Sequence, residues 1–86
     1  MRVFYKNKFD KKFIKLNPKI QDKFYERLEI FITDKFNPIL DNHKVDKRFP
    51  GCRSINVTGD YRAIFEDKGA IITFVNIGTH SELYGK

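Results

Sequence analysis

CRSINVTGDYRAIFEDKGAIITFVNI, residues 52–77, is the stretch on which the fold turns. In its first third Ile55 and Val57 alternate with Ser54, Asn56 and Thr58, so a strand here carries an apolar pair on one face and three polar side chains on the other. Thr58-Gly59-Asp60 then supplies turn chemistry. In YRAIFE, Tyr61, Ala63 and Phe65 alternate with Arg62, Ile64 and Glu66, and Asp67-Lys68-Gly69 turns the chain again. The last run, AIITFVNI, is apolar on both faces over most of its length, which predicts an internal strand rather than an edge. Three strands joined by tight turns read as an antiparallel meander.

Upstream, RVFYK at residues 2–6 is short and β-prone, a first strand. Phe9, Phe13 and Leu16 then recur at spacings of 4 and 3, one face of a helix, while Lys8, Lys11, Lys12 and Lys15 spread over the rest. Proline disfavours helical geometry in the residue before it and is well tolerated in a first turn, so Asn17-Pro18 closes this helix and opens another. Ile20, Phe24, Leu28, Phe31 and Phe36, with Ile32 beside them, carry an apolar stripe through the second helix, predicted to stop near Asn37-Pro38. Residues 37–50, NPILDNHKVDKRFP, have no period and read as a loop with one short extended piece around His43 to Val45. The whole is a single α+β domain over residues 1–86: an N-terminal strand, a helical hairpin, then a three-stranded antiparallel meander. The helices lie on one sheet face, because their Phe stripes have nothing else to bury against. The opposite, polar face is left open as a binding or reaction surface.

Eighty-six residues make one small domain, near the size where apolar burial only just outweighs chain entropy. Nine Phe and four Tyr give enough bulk for a core without staples. One cysteine, Cys52, forms no internal disulfide and fits a reducing compartment, where it reads as a packing residue rather than a nucleophile. Two histidines and that cysteine, with no CxxC or HxxxH spacing, predict neither a metal site nor a cofactor. The opening MRVFYKNKFDKK lacks an apolar signal core, and no uncharged stretch approaches the roughly 20 residues that cross a bilayer. A cytoplasmic location without membrane contact is the expectation. The net charge of +6 is unevenly placed: residues 1–27 hold nine Lys or Arg against three Asp or Glu, residues 28–86 eight against eight. A basic half of this kind suits a polyanion or an acidic partner, and equally serves as a solvated helix face.

HKVDKRFPGCRSINVTGDYRAIFE, residues 43–66, followed by AIITFVNIGTHSELY, residues 70–84, resembles the RelE/ParE superfamily of bacterial type II toxins. Within it, the nearest likeness is to the RelE/StbE and YafQ-like mRNA interferases. GCRSINVTGDYRAIF and IGTHSELYG are the most specific parts, and the order of elements fits that fold. The resemblance implies a small bacterial, cytoplasmic ribonuclease that enters the ribosomal A site and cuts mRNA there without a metal. The RNA's own 2′-hydroxyl attacks the adjacent phosphorus, leaving a 2′,3′-cyclic phosphate and a free 5′-hydroxyl. It implies as partners an antitoxin and mRNA on the ribosome, and a toxin–antitoxin hetero-oligomer on operator DNA. Two other readings stay open: a ParE-like inhibitor of DNA gyrase, and a degenerate toxin that only joins its antitoxin in repressing their operon.

Carried over by position, His80 falls on a catalytic histidine and Tyr84 on a catalytic aromatic position. Arg62 falls on a phosphate-stabilising arginine, Asp60 and Tyr61 on an acidic and aromatic pair, and His43 on the histidine that opens the YafQ-like motif. Asn56 and Ser54 depart from the pattern, which has titrating or cationic groups there. Histidine changes charge near neutral pH, so His80 at a strand mouth suits acid–base work; the other reading is a surface residue in a short helical turn. Tyr84, one helical turn on, either handles a proton, stacks on a base or plugs the core beside Leu83. Arg62 is shaped for a phosphate or for an ion pair with Glu66 or Asp60. Asp60 either orients a histidine or satisfies its turn. Arg53, Asn56, Tyr61, Lys44 and Lys47 are candidate substrate-binding residues, with Arg48 beside them as a further cation for the RNA backbone.

Overall fold

The computed structural model describes residues 1–85. Strand β1 (Arg2–Tyr5) leads into helices α1 (Asn7–Phe13) and α2 (Pro18–Thr33) and a short 3-10 turn (Pro38–Leu40). Strands β2 (His43–Lys44), β3 (Arg53–Asn56), β4 (Tyr61–Asp67) and β5 (Ile71–Thr79) follow, and then one-turn helix α3 (His80–Tyr84). The sheet order is β1-β5-β4-β3-β2. β1 runs parallel to β5, with Arg2 opposite Ile71 and Tyr5 opposite Phe74, and the other pairings are antiparallel. β5 is therefore internal, as its two apolar faces require. Among the described residues no helix is long and apolar enough to cross a membrane.

The Phe stripes do what their spacing predicts. Phe9 and Phe13 of α1 and Phe24 and Phe31 of α2 are buried against Ile55, Val57, Ala63, Phe65, Ile72, Phe74 and Ile77, the inward positions of β3, β4 and β5 and the residue that follows β3. Asn17 caps α2 by accepting the Lys19 amide at 2.8 Å, with Pro18 at the first helical position, and Gln21 Nε2 donates back to the Phe13 carbonyl at 2.9 Å. The helical hairpin is thus locked at its corner by polar bonds that cost no core volume.

Three features differ from the sequence reading. Helix α2 stops at Thr33, because Asp34 turns extended (φ −155°), and Asn37 starts a separate turn by accepting the Ile39 amide. Phe36 therefore leaves the apolar stripe. Its ring is exposed and lies under the Arg53 guanidinium, 5.3 Å from ring centre. The extended piece at His43 is a true edge strand, pairing His43 with Ser54 and Lys44 with Arg53, so the meander has four strands rather than three. Finally, the face away from the helices is not open throughout. Cys52, Ile64 and Leu83 are buried there, with Val45, Phe49, Val75 and Tyr84 packed on them. A β-bulge feeds this second cluster: Ile64 faces Asn76 but Phe65 faces Phe74, leaving Val75 as the extra residue.

One ion pair ties the end of α2 to the sheet. Lys35 Nζ lies 2.7 Å from Asp67 Oδ2, and the Gly69 amide donates to Asp67 Oδ1 at 2.8 Å. Burial alone pushes the Asp67 carboxyl up, but the Lys35 and Gly69 bonds outweigh it and hold the group below its ordinary range. A depressed carboxylate contributes stability that is present above its unfolded pKa and is lost as the pH falls through the folded one. Lys35→Met is expected to cost about 1–2 kcal/mol at neutral pH, with the loss shrinking in acid. Urea unfolding at a series of pH values checks this; a cost that does not change with pH refutes it.

Candidate functional site

The part of the outer sheet face left uncovered by the second cluster forms a cleft of about 420 Å³. It is lined by Asp41, His43, Lys44, Val45, Lys47, Arg48, Ser54, Arg62, His80 and Tyr84. Four permanent cations thus face one carboxylate, and both histidines of the chain are present. The field in the cleft favours an anion.

His80 is placed by its neighbours on both sides. Thr79 is the N-cap of α3: its Oγ1 accepts the Glu82 amide at 3.2 Å while Glu82 Oε1 accepts the Thr79 amide at 2.8 Å. The His80 amide donates to the Asp60 carbonyl at 3.1 Å, so the β3–β4 turn also grips this residue. Gly85, at φ 70°, ends the helix after one turn. Tyr84, four residues on, shares the face of His80, with ring centroids 4.8 Å apart. Its second aromatic neighbour is Phe49, edge-on at 5.9 Å. The ring therefore plugs the second cluster and walls the cleft at the same time.

His43 enters from β2. Its Nδ1 lies 2.7 Å from the Asp41 carbonyl oxygen. A carbonyl only accepts, so Nδ1 carries the hydrogen and the neutral ring keeps its lone pair on Nε2. Asp41 is able to offer that carbonyl because it adopts a left-handed conformation (φ 49°) after the 3-10 turn. Arg62 forms no ion pair with Glu66 or Asp60. Its Nη1 donates instead to the carbonyls of Thr58, Gly59 and Tyr61 at 3.1, 3.1 and 3.3 Å. The guanidinium is anchored on the turn with its charge uncompensated by any carboxylate among the described residues. Arg48 Nε donates to the Leu83 carbonyl at 2.9 Å and so ties the loop before β3 to α3. Ser54 is fully buried at the cleft wall, and neither its Oγ nor Asn56 Oδ1 finds a hydrogen-bond partner among the described residues.

His43, His80, Tyr84, Arg62, Lys44 and Lys47 are thus brought together, and Arg48 joins them. Asp60, Tyr61 and Arg53 are not. Asp60 offers His80 its backbone and keeps its carboxylate in the exposed turn. Tyr61 alternates with Arg62, so it packs against the helix-side core. Arg53 alternates with Ser54 and is held by Asn42 Oδ1 at 2.7 Å and by the Phe36 ring. Asn56 faces Arg62 in register but does not line the cleft. Cys52 is buried, and that burial, helped by Glu66 and Asp46, pushes its thiol up and away from the thiolate. Asp41 and Val45 escaped the sequence reading; a left-handed aspartate after a 3-10 turn leaves no periodic trace.

The family described as ParE toxin of type II toxin-antitoxin system, parDE, matches residues 3–84. Among curated proteins none matches. Among solved structures, YafQ from E. coli strain BL21(DE3) superposes with a TM-score of 0.80 at 22% identity, over 99% of this chain and 100% of that one. The RelB-RelE antitoxin-toxin complex from Methanococcus jannaschii gives 0.74 at 21% identity, over 96% of each chain. A YoeB/ParE toxin from Agrobacterium tumefaciens gives 0.76 at 10% identity, over 93% of this chain and 99% of that one. These likenesses carry the fold, and the family match over nearly the whole chain carries the assignment: the protein belongs to the ParE toxin family of type II toxin–antitoxin systems, within the RelE/ParE superfamily.

Proposed function

We propose that this toxin is a metal-independent endoribonuclease that cuts mRNA on the ribosome and so blocks translation. The observation that carries the reading is the convergence of His43, His80 and Arg62 on one basic cleft. His43 Nε2 takes the proton of the ribose 2′-hydroxyl. The freed oxygen attacks the neighbouring phosphorus, and the bond to the 5′-oxygen breaks. His80, in its protonated form, gives a proton to that leaving oxygen. The products are a 2′,3′-cyclic phosphate and a 5′-hydroxyl, so no water or metal enters the first step. Arg62 and the lysines balance the charge that gathers on the phosphorane, where fixed cations act most strongly. Tyr84 holds the His80 ring and offers a face on which a base stacks.

In the solved structures, YafQ is bound to DinJ and RelE to the antitoxin RelB. By that likeness this chain pairs with an antitoxin in the cytoplasm, whose acidic or amphipathic segment complements the basic helical half, and the pair binds operator DNA. The gyrase reading has the family description in its favour. The two separate cleanly. Purified ribosomes, a defined mRNA and the protein should yield new 5′-hydroxyl ends near A-site codons, and gyrase supercoiling should proceed untouched. Intact mRNA with blocked supercoiling refutes the nuclease reading and establishes the other.

A further inference from the structure

We infer that Lys12 is a positioning residue for the cleft: its ammonium, reaching from α1, sets where α3 begins and hence where His80 stands. The role of His80 as proton donor is taken from the nuclease reading above; the positioning itself is not. Several other lysines crowd the basic half, and Lys8, Lys11 and Lys15 make no side-chain hydrogen bond among the described residues. Lys12 donates to Asn76 Oδ1 at 2.8 Å, across 64 positions of sequence. Asn76 is nearly buried on β5, just past the bulge, and the same oxygen also accepts its neighbour's amide at 2.9 Å. The lysine therefore grips β5 three residues before the N-cap of α3.

Gly78 lies between Lys12 and Glu82. A Cβ built there would lie 2.8 Å from Glu82 Oε1 and 3.1 Å from Lys12 Nζ. Ammonium and carboxylate thus flank a bare Cα, and a side chain there would push both of their ends aside. Glu82 is the capping-box residue whose Oε1 accepts the Thr79 amide. Burial pushes the Lys12 ammonium down, and the Glu82 carboxylate opposes that shift, so the two groups sense each other. The path runs by hydrogen bond from Lys12 to Asn76 on β5 and, through charge across the bare Gly78, to Glu82, which bonds Thr79 next to the backbone of His80. A catalytic group displaced by an ångström loses rate while substrate binding is spared.

The test compares Lys12→Met, Lys12→Arg and Lys8→Met as a surface control. In Lys12→Met the Thr79 and Glu82 amides should exchange hydrogen about 10-fold faster while the β4–β5 ladder keeps its protection. Cleavage of ribosome-bound mRNA should lose about 10-fold in kcat with KM nearly unchanged, and Lys12→Arg should restore both readouts. Unchanged exchange at Thr79 and Glu82 overturns the inference. So does loss of ladder protection, which marks a general structural role, and so does a rise in KM alone, which marks Lys12 as an RNA contact. Should the unaltered protein cut no RNA, the nuclease reading falls, and the exchange data still decide the positioning role.

Discussion

His80→Gln is expected to cut the rate of mRNA cleavage by about 100- to 10,000-fold, the range that one positioned acid or base supplies. Glutamine keeps the size and a hydrogen-bond donor but cannot carry a proton to the leaving oxygen. The backbone of residue 80 is fixed by the Asp60 carbonyl and by the capping box of Thr79 and Glu82, none of which uses the imidazole. The ring itself is exposed. Stability should therefore change by no more than about 0.5 kcal/mol, so the loss of rate does not come from unfolding. His43→Gln should cost a comparable factor, since the two rings have complementary duties as base and acid. If His80→Gln remains fully toxic in cells, imidazole at position 80 has no part in the chemistry, and the gyrase reading gains.

What could be read in the sequence follows from which forces act locally. Patterning in residues 52–77 is local: alternation marks β3 and β4, turn residues mark their ends, and a run apolar on both faces marks β5 as internal. The 3-and-4 spacing of Phe9, Phe13 and Leu16, and of Phe24, Leu28 and Phe31, likewise follows from helix geometry. Long-range contacts left weaker marks. Phe36 fits the helical spacing, yet Asp34 breaks the helix before it and a cation from β3 settles on its ring. Val45 and Phe49 look like loop residues because their partners, Ile64 and Leu83, lie 15 or more positions away. The site divided in the same way. His43 and His80 stood out as candidates, but their shared cleft depends on β2 joining the sheet edge, which two residues of extended chain do not announce. Tyr61 and Arg53 fell on the helix side because the same alternation that places Arg62 and Ser54 in the cleft turns their neighbours away. Lys12 was hidden for a different reason: among so many lysines only the tertiary bond to Asn76 sets it apart.

Phe74→Ala should bring this protein close to unfolding. Phe74 is fully buried, and its ring centre lies 5.2–6.1 Å from those of Phe24, Phe65, Phe9, Tyr5 and Phe31. Truncating such a ring costs about 3–5 kcal/mol, through lost transfer energy and the cavity left behind. A domain of this size holds only about 4–13 kcal/mol in total. Both helices, β1 and β4 meet at that one side chain, so no part of the core collapses to fill the gap without pulling on the rest. The outcome is a midpoint shift of tens of degrees, or no cooperative transition, in thermal unfolding followed by circular dichroism. A shift below a few degrees would show that the aromatic cluster is loosely packed. The functional consequence follows from connectivity. β5 carries Phe74 at the bulge and passes through Asn76 and Gly78 to Thr79, so the strand that fills the core also aims His80. A milder variant, Phe74→Leu, keeps most of the volume and should fold. Its cleavage rate should still fall more than its stability, because a small rotation of β5 at the bulge is carried undiminished to the imidazole six residues on.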